Sequence, residues 1–158
     1  MSTRVLIWIV IVIGILIAGF LFFKGSSNKS IGSNQEKPVT FEKASLDIPN
    51  RETMGNLVIR NEQEWADTIG TKESSIDFTQ KTALVVSMGQ RMTGGYSIEI
   101  KSITEKTNKV HVAVEFISPG KNCITIQVVN YPSQIILIPA TKKEIVWEIT
   151  NKTVDCPQ

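Results

Sequence analysis

With 158 residues, 42% of them hydrophobic, the chain has material for one membrane segment and one domain of ordinary size, but not for two domains with separate cores. Its formal net charge of +2 is divided unevenly: residues 1–38 carry Arg4, Lys24, Lys29 and Lys37 against Glu36, a balance of +3, and the remaining 120 residues hold 13 basic and 14 acidic side chains, a balance of −1. A body of that charge with no basic cluster lacks the electrostatic footprint that a phosphate backbone requires, so nucleic acid is excluded as the expected partner.

After residues 1–4, expected to be a cytoplasmic N-terminus, residues 5–23 form an unbroken apolar run of 19 residues. As a helix rising about 1.5 Å per residue it spans roughly 28 Å, close to the thickness of the hydrocarbon layer. A cleaved signal peptide has a shorter apolar core followed by a small-x-small cleavage site. Phe20-Leu21-Phe22-Phe23-Lys24 offers none, so the expectation is an uncleaved, single-pass signal anchor. Arg4 precedes the run while Lys24 and Lys29 follow it, and the positive-inside rule therefore leaves the orientation open. Residues 24–38 are rich in Gly, Ser and Asn with a single large apolar side chain, and read as a flexible linker holding the following body roughly 20 Å from the membrane.

The globular part is expected over residues 39–158. Leu57-Val58-Ile59-Arg60 reads as a short strand, and Asn61-Glu62-Gln63-Glu64-Trp65 as the capped start of a short helix, with Asn61 accepting from the backbone of Glu64. Trp65 and Ile69, four apart, share its buried face, and Gly70 ends it. Residues 82–88 are continuously apolar enough to be buried on both faces of a sheet. Met92-Thr93-Gly94-Gly95-Tyr96 then joins that run to the alternation of Tyr96, Ile98 and Ile100 with Ser97, Glu99 and Lys101. A glycine pair in this place is tight-turn chemistry or a surface that another backbone approaches closely.

Farther along, Val110, Val112, Val114 and Phe116 alternate with His111, Ala113 and Glu115. Thr107-Asn108-Lys109 supplies the hairpin end before them, and Ser118-Pro119-Gly120-Lys121 has the composition of a type II turn after them. Ile124, Ile126 and Val128 continue the strand pattern. Residues 134–138 and 144–149 close the domain, with Ile145, Trp147 and Ile149 on one face; the Tyr131-Pro132 bond is open to either isomer. The fold class is mainly β with one short helix, an antiparallel β sandwich or open barrel, preceded by the N-terminal transmembrane helix.

Catalytic apparatus is thin. His111 is the only histidine, so every histidine-base scheme runs through it, yet its place in the alternation turns it toward solvent. Asp47, Asp67, Asp77 and Asp155 are scattered without metal-ligand spacing, and Glu99 and Glu115 meet across neighbouring strands as a solvated face. Cys123 and Cys156 are in no C-x-x-C arrangement, which leaves a disulfide or two buried thiols. The disulfide is the expectation. It closes a loop of about 33 residues, stabilises by roughly 3–4 kcal/mol in the chain-entropy model, and suits an extracytoplasmic body. No enzyme activity, metal or cofactor is expected.

The order of features resembles the C-terminal domain of the protease-complex subunit PrcB family. The matching residues are Val58-Ile59-Arg60 before the Glu64-Trp65 helix, Ile76-Asp77-Phe78 leading into Leu84-Val85-Val86, and then residues 89–100 around Thr93-Gly94-Gly95-Tyr96. Ser118-Pro119-Gly120 and Tyr131-Pro132-Ser133-Gln134-Ile135-Ile136 follow. The resemblance covers roughly residues 57–147. It implies a non-enzymatic accessory domain on the cell exterior that associates with a secreted or surface protease and stabilises it. Family members can be attached by lipid, whereas this chain is expected to be held by a helix. Met92, Thr93, Gly94, Gly95 and Tyr96 are the expected protein-binding edge, with Tyr96 shared between contact and core because of its parity with Ile98 and Ile100. A protease inhibitor or envelope-assembly module, and a hydrolase built around His111 or Cys123, are the other readings.

Overall fold

The computed structural model describes residues 36–44, 52–70 and 75–156; the expected membrane segment, most of the linker and Asp47 lie outside them. Among the described residues no helix is long and apolar enough to cross a membrane.

Both halves of the core meet on β4 (Lys81–Met88). Leu84, Val86 and Met88 point to one side and Ala83 and Val85 to the other, all at most 2% exposed. A strand covered on both faces has no position for a solvated side chain, which is why this run lacks the polar alternation seen elsewhere. β4 lies in a four-stranded antiparallel sheet ordered β2 (Glu42–Ala44), β7 (Ser133–Pro139), β4, β3 (Met54–Ile59). The second four-stranded sheet is ordered β1 (Lys37–Pro38), β5 (Ser97–Lys106), β6 (Lys109–Pro119), β8 (Glu144–Val154). Between the sheets, Leu84, Val86, Met88, Ile136 and Ile138 pack against Ile100, Ile103, Val110, Val112, Val114 and Phe116. The result is an open sandwich, not a barrel. β1 comes from the end of the expected linker, whose Lys37 and Pro38 pair with Glu105 and Thr104.

A third layer covers the outer face of the first sheet. Helix α1 (Glu62–Ile69) buries Trp65 and Ile69 beside Ile59, Ile76, Ala83, Val85 and Ile135. Its ends are as expected: Asn61 Oδ1 accepts from Glu64 N at 2.8 Å, and Gly70, at φ 81°, donates its N–H to Ala66 O at 2.9 Å. Glu64 returns the favour, one carboxylate oxygen accepting from Asn61 Nδ2 at 2.8 Å and the other from Arg60 N, just ahead of the cap, at 2.7 Å.

The hairpin between β5 and β6 turns at Thr107, φ 46°, and Asn108. Within β5 the register shifts between Ile100 and Ser102, so Lys101 is an extra residue. This bulge moves the inward row from Ile98 and Ile100 to Ile103.

Three expectations are corrected. The sandwich is not wholly antiparallel: β8 runs parallel to β6 from Lys109↔Glu144 to Pro119↔Val154. The intervening strand β7 makes the return journey in the other sheet, so the chain re-enters beside β6 in the same direction. Ser118-Pro119-Gly120-Lys121 is not a positive-φ turn, since β6 continues through Pro119; the turn lies one step later, with Cys123 N donating to Gly120 O at 3.0 Å. Ile124, Ile126 and Val128 form no strand and are exposed. The Tyr131-Pro132 bond is trans.

Gly89 ends β4 at φ 71°, where a Cβ would lie 2.7 Å from Met54 N and 2.9 Å from Glu52 O. Backbone crowding and dihedral both select glycine there. Gly89→Ala is expected to lower the unfolding free energy by about 2 kcal/mol or more, read from the urea midpoint at unchanged m-value.

Charged groups at the sheet margin give the fold a pH dependence. A hydrogen bond from Lys143 holds the Glu105 carboxyl below its ordinary range, hydrogen bonds from Thr79 do the same for Asp77, and a hydrogen bond to Glu36 raises Lys106. Depressed carboxylates contribute stability that is present above their unfolded pKa and is lost as pH falls through the folded one; the raised lysine contributes stability that is lost as pH rises through its folded pKa. Calorimetric midpoints are therefore expected to decline in acid below the ordinary carboxylate range, with a smaller acid dependence in Glu105→Gln.

Candidate protein-binding surface

Beyond Gly89 the chain leaves the first sheet and reaches β5 through residues 90–96. It does so against a second irregular segment, residues 121–132, which carries the chain from β6 back to β7. Arg91 N donates to Asn130 O at 2.8 Å and Asn130 N to Arg91 O at 2.9 Å. Gly94 N donates to Ile126 O at 3.0 Å, and Asn130 Nδ2 to Thr93 O at 2.5 Å. Two stretches without regular ladders are thus laced together by their backbones.

The glycine pair makes that approach feasible. A Cβ on Gly94 would sit 2.9 Å from Ile126 Cγ1, and Gly95 adopts φ 90° against Pro119, whose Cβ and Cγ would be 3.2 Å from an added methyl. Gly95→Ala is expected to cost about 1–2 kcal/mol through the strained dihedral, measured by urea denaturation. Tyr96 packs on the inter-sheet core while Arg91 stacks its guanidinium 5.2 Å from the ring centroid.

The second segment is tethered at both ends. At its start, Cys123 and Cys156 form a disulfide with S–S 2.04 Å and Cα–Cα 5.1 Å, and Gly120 N donates to Val154 O at 2.8 Å. Gly120 leaves room for neighbouring chain, since a Cβ there would run into the Asp155 carboxylate. At its end, Asn130 holds Arg91 and Thr93. Between these anchors large apolar side chains face solvent: Ile124 is 103%, Ile126 72%, Val128 44% and Val129 45% exposed, joined across the lacing by Met92 at 66%.

Of the five expected binding residues, Met92 presents an exposed apolar side chain, Thr93, Gly94 and Gly95 build the support, and Tyr96 belongs partly to the core. Ile124, Ile126, Val128 and Val129 were not expected at the surface. Their alternation with Thr125 and Gln127 is what a half-buried strand also shows, and only the placement of the segment outside both sheets separates the two cases.

Cys123 is oxidised, and His111 Nδ1 lies 2.7 Å from Glu148 Oε1 on the polar outer face of the second sheet. Glu99 and Glu115 are cross-strand partners, as expected, but each has a lysine beside it, Lys101 at 3.2 Å and Lys152 at 3.7 Å. A groove of about 450 Å³ at the other end of the sandwich is lined by Val39, Glu105, Ile138, Thr141 and Lys143. There Lys143 is bonded to Glu105, and Arg60 donates to Thr141 O and Lys143 O, each at 3.0 Å. Among the described residues no group of three or more His, Cys, Asp or Glu side chains is placed to hold a metal ion.

Residues 82–139 match the family model for the PrcB C-terminal domain. This region is similar to the PrcB C-terminal family. The match runs from β4 to the end of β7, so both laced segments lie inside the PrcB C-terminal region, whereas β8 and Cys156 lie beyond it. An uncharacterised protein of Methanocaldococcus jannaschii is 30% identical over 109 residues, which cover 67% of this chain and 66% of that protein. No solved structure matches the chain.

Proposed function

We propose that this chain is a non-enzymatic, membrane-tethered accessory protein whose β domain, on the extracytoplasmic side, binds a secreted or surface protease and stabilises it. The reading is carried by the exposed apolar set Met92, Ile124, Ile126 and Val128, held in a defined place by backbone hydrogen bonds and a disulfide while contributing nothing to the core. Immobilised apolar side chains lower the ordering cost of association and mark interaction surfaces. The match of residues 82–139 to the PrcB C-terminal family model supports a protease-complex partner. The disulfide supports an oxidising compartment, with residues 5–23 as the anchor.

The test is capture of partners from native membranes by the full chain and by Met92→Asp and Ile126→Asp variants. Both positions are exposed, so unfolding free energies are expected to stay within about 0.5 kcal/mol of wild type. Protease capture is expected to fall at least about tenfold, as truncation or charging of a docking residue at an interface centre does. Undiminished capture by both folded variants would refute the assignment. Location has its own check: protease added to spheroplasts is expected to digest the β domain, and complete protection would place it on the cytoplasmic side.

A further inference from the structure

β8 is the outermost strand of its sheet and, at 11 residues, is paired on one side only among the described residues. Its last seven residues, 148–154, are all exposed. An edge of that length is a template for strand addition, and proteins ordinarily block such edges with charge. The charges on β8 are arranged differently. Ile145 and Trp147 face the core, so Val146, Glu148, Thr150, Lys152 and Val154 form the outer row. That row is complementary to its own reverse: Glu148 and Lys152 stand equally far on either side of Thr150, and Val146 and Val154 equally far beyond them.

We propose that β8 pairs antiparallel with β8 of a second copy of this chain, about a two-fold axis through Thr150, joining the two outer sheets into one. In this register each Glu148 faces the other copy's Lys152 and each Val146 the other's Val154, on the same side of the joined sheet. On the inner row the two Ile149 side chains become diagonal neighbours across the axis. Ile149 and Val154, 40% and 42% exposed in one copy, thereby gain apolar partners.

Charge selects the register. Sliding the copies so that Glu144 meets Lys152 sets Glu148 against Glu148, and the opposite slide sets Lys152 against Lys152. Centres at Ile149 or Asn151 leave Glu148 facing Thr150 or Val154. Only the Thr150 centre neutralises both charges without juxtaposing like ones, and like charges directly opposite destabilise a strand pair. In the single copy Glu148 bonds His111 and Lys152 lies near Glu115, so both groups already sit on the outer face that the joined sheet shares. The surface adjoins the second laced segment at Val154, whose carbonyl accepts the Gly120 N–H, and the inference does not rest on protease binding.

The experiment uses the full chain in detergent micelles with the native disulfide intact. Antiparallel partners have Cα atoms about 4.5–5.5 Å apart, within disulfide range. Thr150→Cys is therefore expected to give a covalent dimer on mild oxidation. Thr153→Cys, whose twin lies roughly 20 Å away at about 3.3 Å per residue, is expected to give none. Glu148→Lys or Lys152→Glu alone is expected to weaken dimerisation about tenfold in analytical ultracentrifugation, and the double reversal to restore it, with no cysteine involved. Met92→Asp is expected to leave the dimer intact. A monomeric wild-type chain, equal cross-linking at positions 150 and 153, or no recovery in the double reversal would overturn the proposal.

Discussion

Replacing Cys123 and Cys156 together by serine is expected to lower the unfolding free energy by about 3–4 kcal/mol, the loop-closure entropy returned to a denatured chain freed of a cross-link spanning 33 residues. For a domain of this size that is a large fraction of the total stability. The loss is expected to be felt unevenly. Cys123 marks the point where the chain turns from β6 into the irregular segment, and Cys156 follows the end of β8, so the bridge is what keeps the Gly120 N–H on Val154 O when either end frays. Without it, residues 124–129 remain held by Gly94 N on Ile126 O and by the contacts of Asn130. Hydrogen exchange is expected to accelerate most at the amides of Gly120 and Cys123, less at Gly94, and least in β4. Protease capture is expected to weaken further than the stability loss explains, because Ile124 and Ile126 lose their fixed position before the sandwich unfolds. A double-serine variant within about 1 kcal/mol of wild type, with unchanged exchange at Gly120, would show that the hydrogen bonds alone anchor the segment.

What the sequence revealed and what it concealed divide along a physical line. Local chemistry was legible: Asn61 and Gly70 cap α1, Trp65 and Ile69 face inward together, and the unbroken apolar character of residues 82–88 announces a strand covered on both sides. The Cys123–Cys156 pairing and the facing of Glu99 and Glu115 were also within reach. Strand direction was not. An apolar alternation reads the same in a parallel and an antiparallel neighbour, so nothing in residues 144–149 sets the parallel β6–β8 pair apart from the commoner sense. The bulge at Lys101 left a trace, the change of phase between Ile100 and Ile103, which is intelligible only once the partner strand is known. Glycine roles were half legible. Gly95 has the positive φ expected of a turn, but Gly120 serves close packing, and Gly89, crowded by neighbouring backbone at a positive φ, carried no separate signal. For the binding surface, the expected residues supply Met92 and the support beneath it; the larger apolar share comes from residues 124–129, whose pattern suits a buried strand equally well.

Trp65→Ala is expected to cost about 3–5 kcal/mol, comparable to loss of the disulfide but without its effect on binding. Trp65 is 2% exposed, its ring is 6.1 Å from that of Phe78 at a tilt of 53°, and it packs with Ile59, Ile69 and Ile76 in the layer outside the first sheet. No other side chain in α1 except Ile69 reaches that layer, so truncation leaves a cavity that eight helical residues cannot close. Trp65→Phe keeps an aromatic ring there and is expected to recover more than half of the loss. The register of the first sheet places this layer far from the laced segments: α1 follows the end of β3 where Ile59 meets Ala83, whereas the loop to β5 leaves from the other end, where Met54 meets Met88. At a temperature where Trp65→Ala remains folded, protease capture is therefore expected to match wild type even though the urea midpoint falls steeply. The two variants then form a matched pair, equal in stability and unequal in binding. If capture fell in step with stability in both, the surface would have no anchoring of its own and would form only as part of the whole cooperative unit.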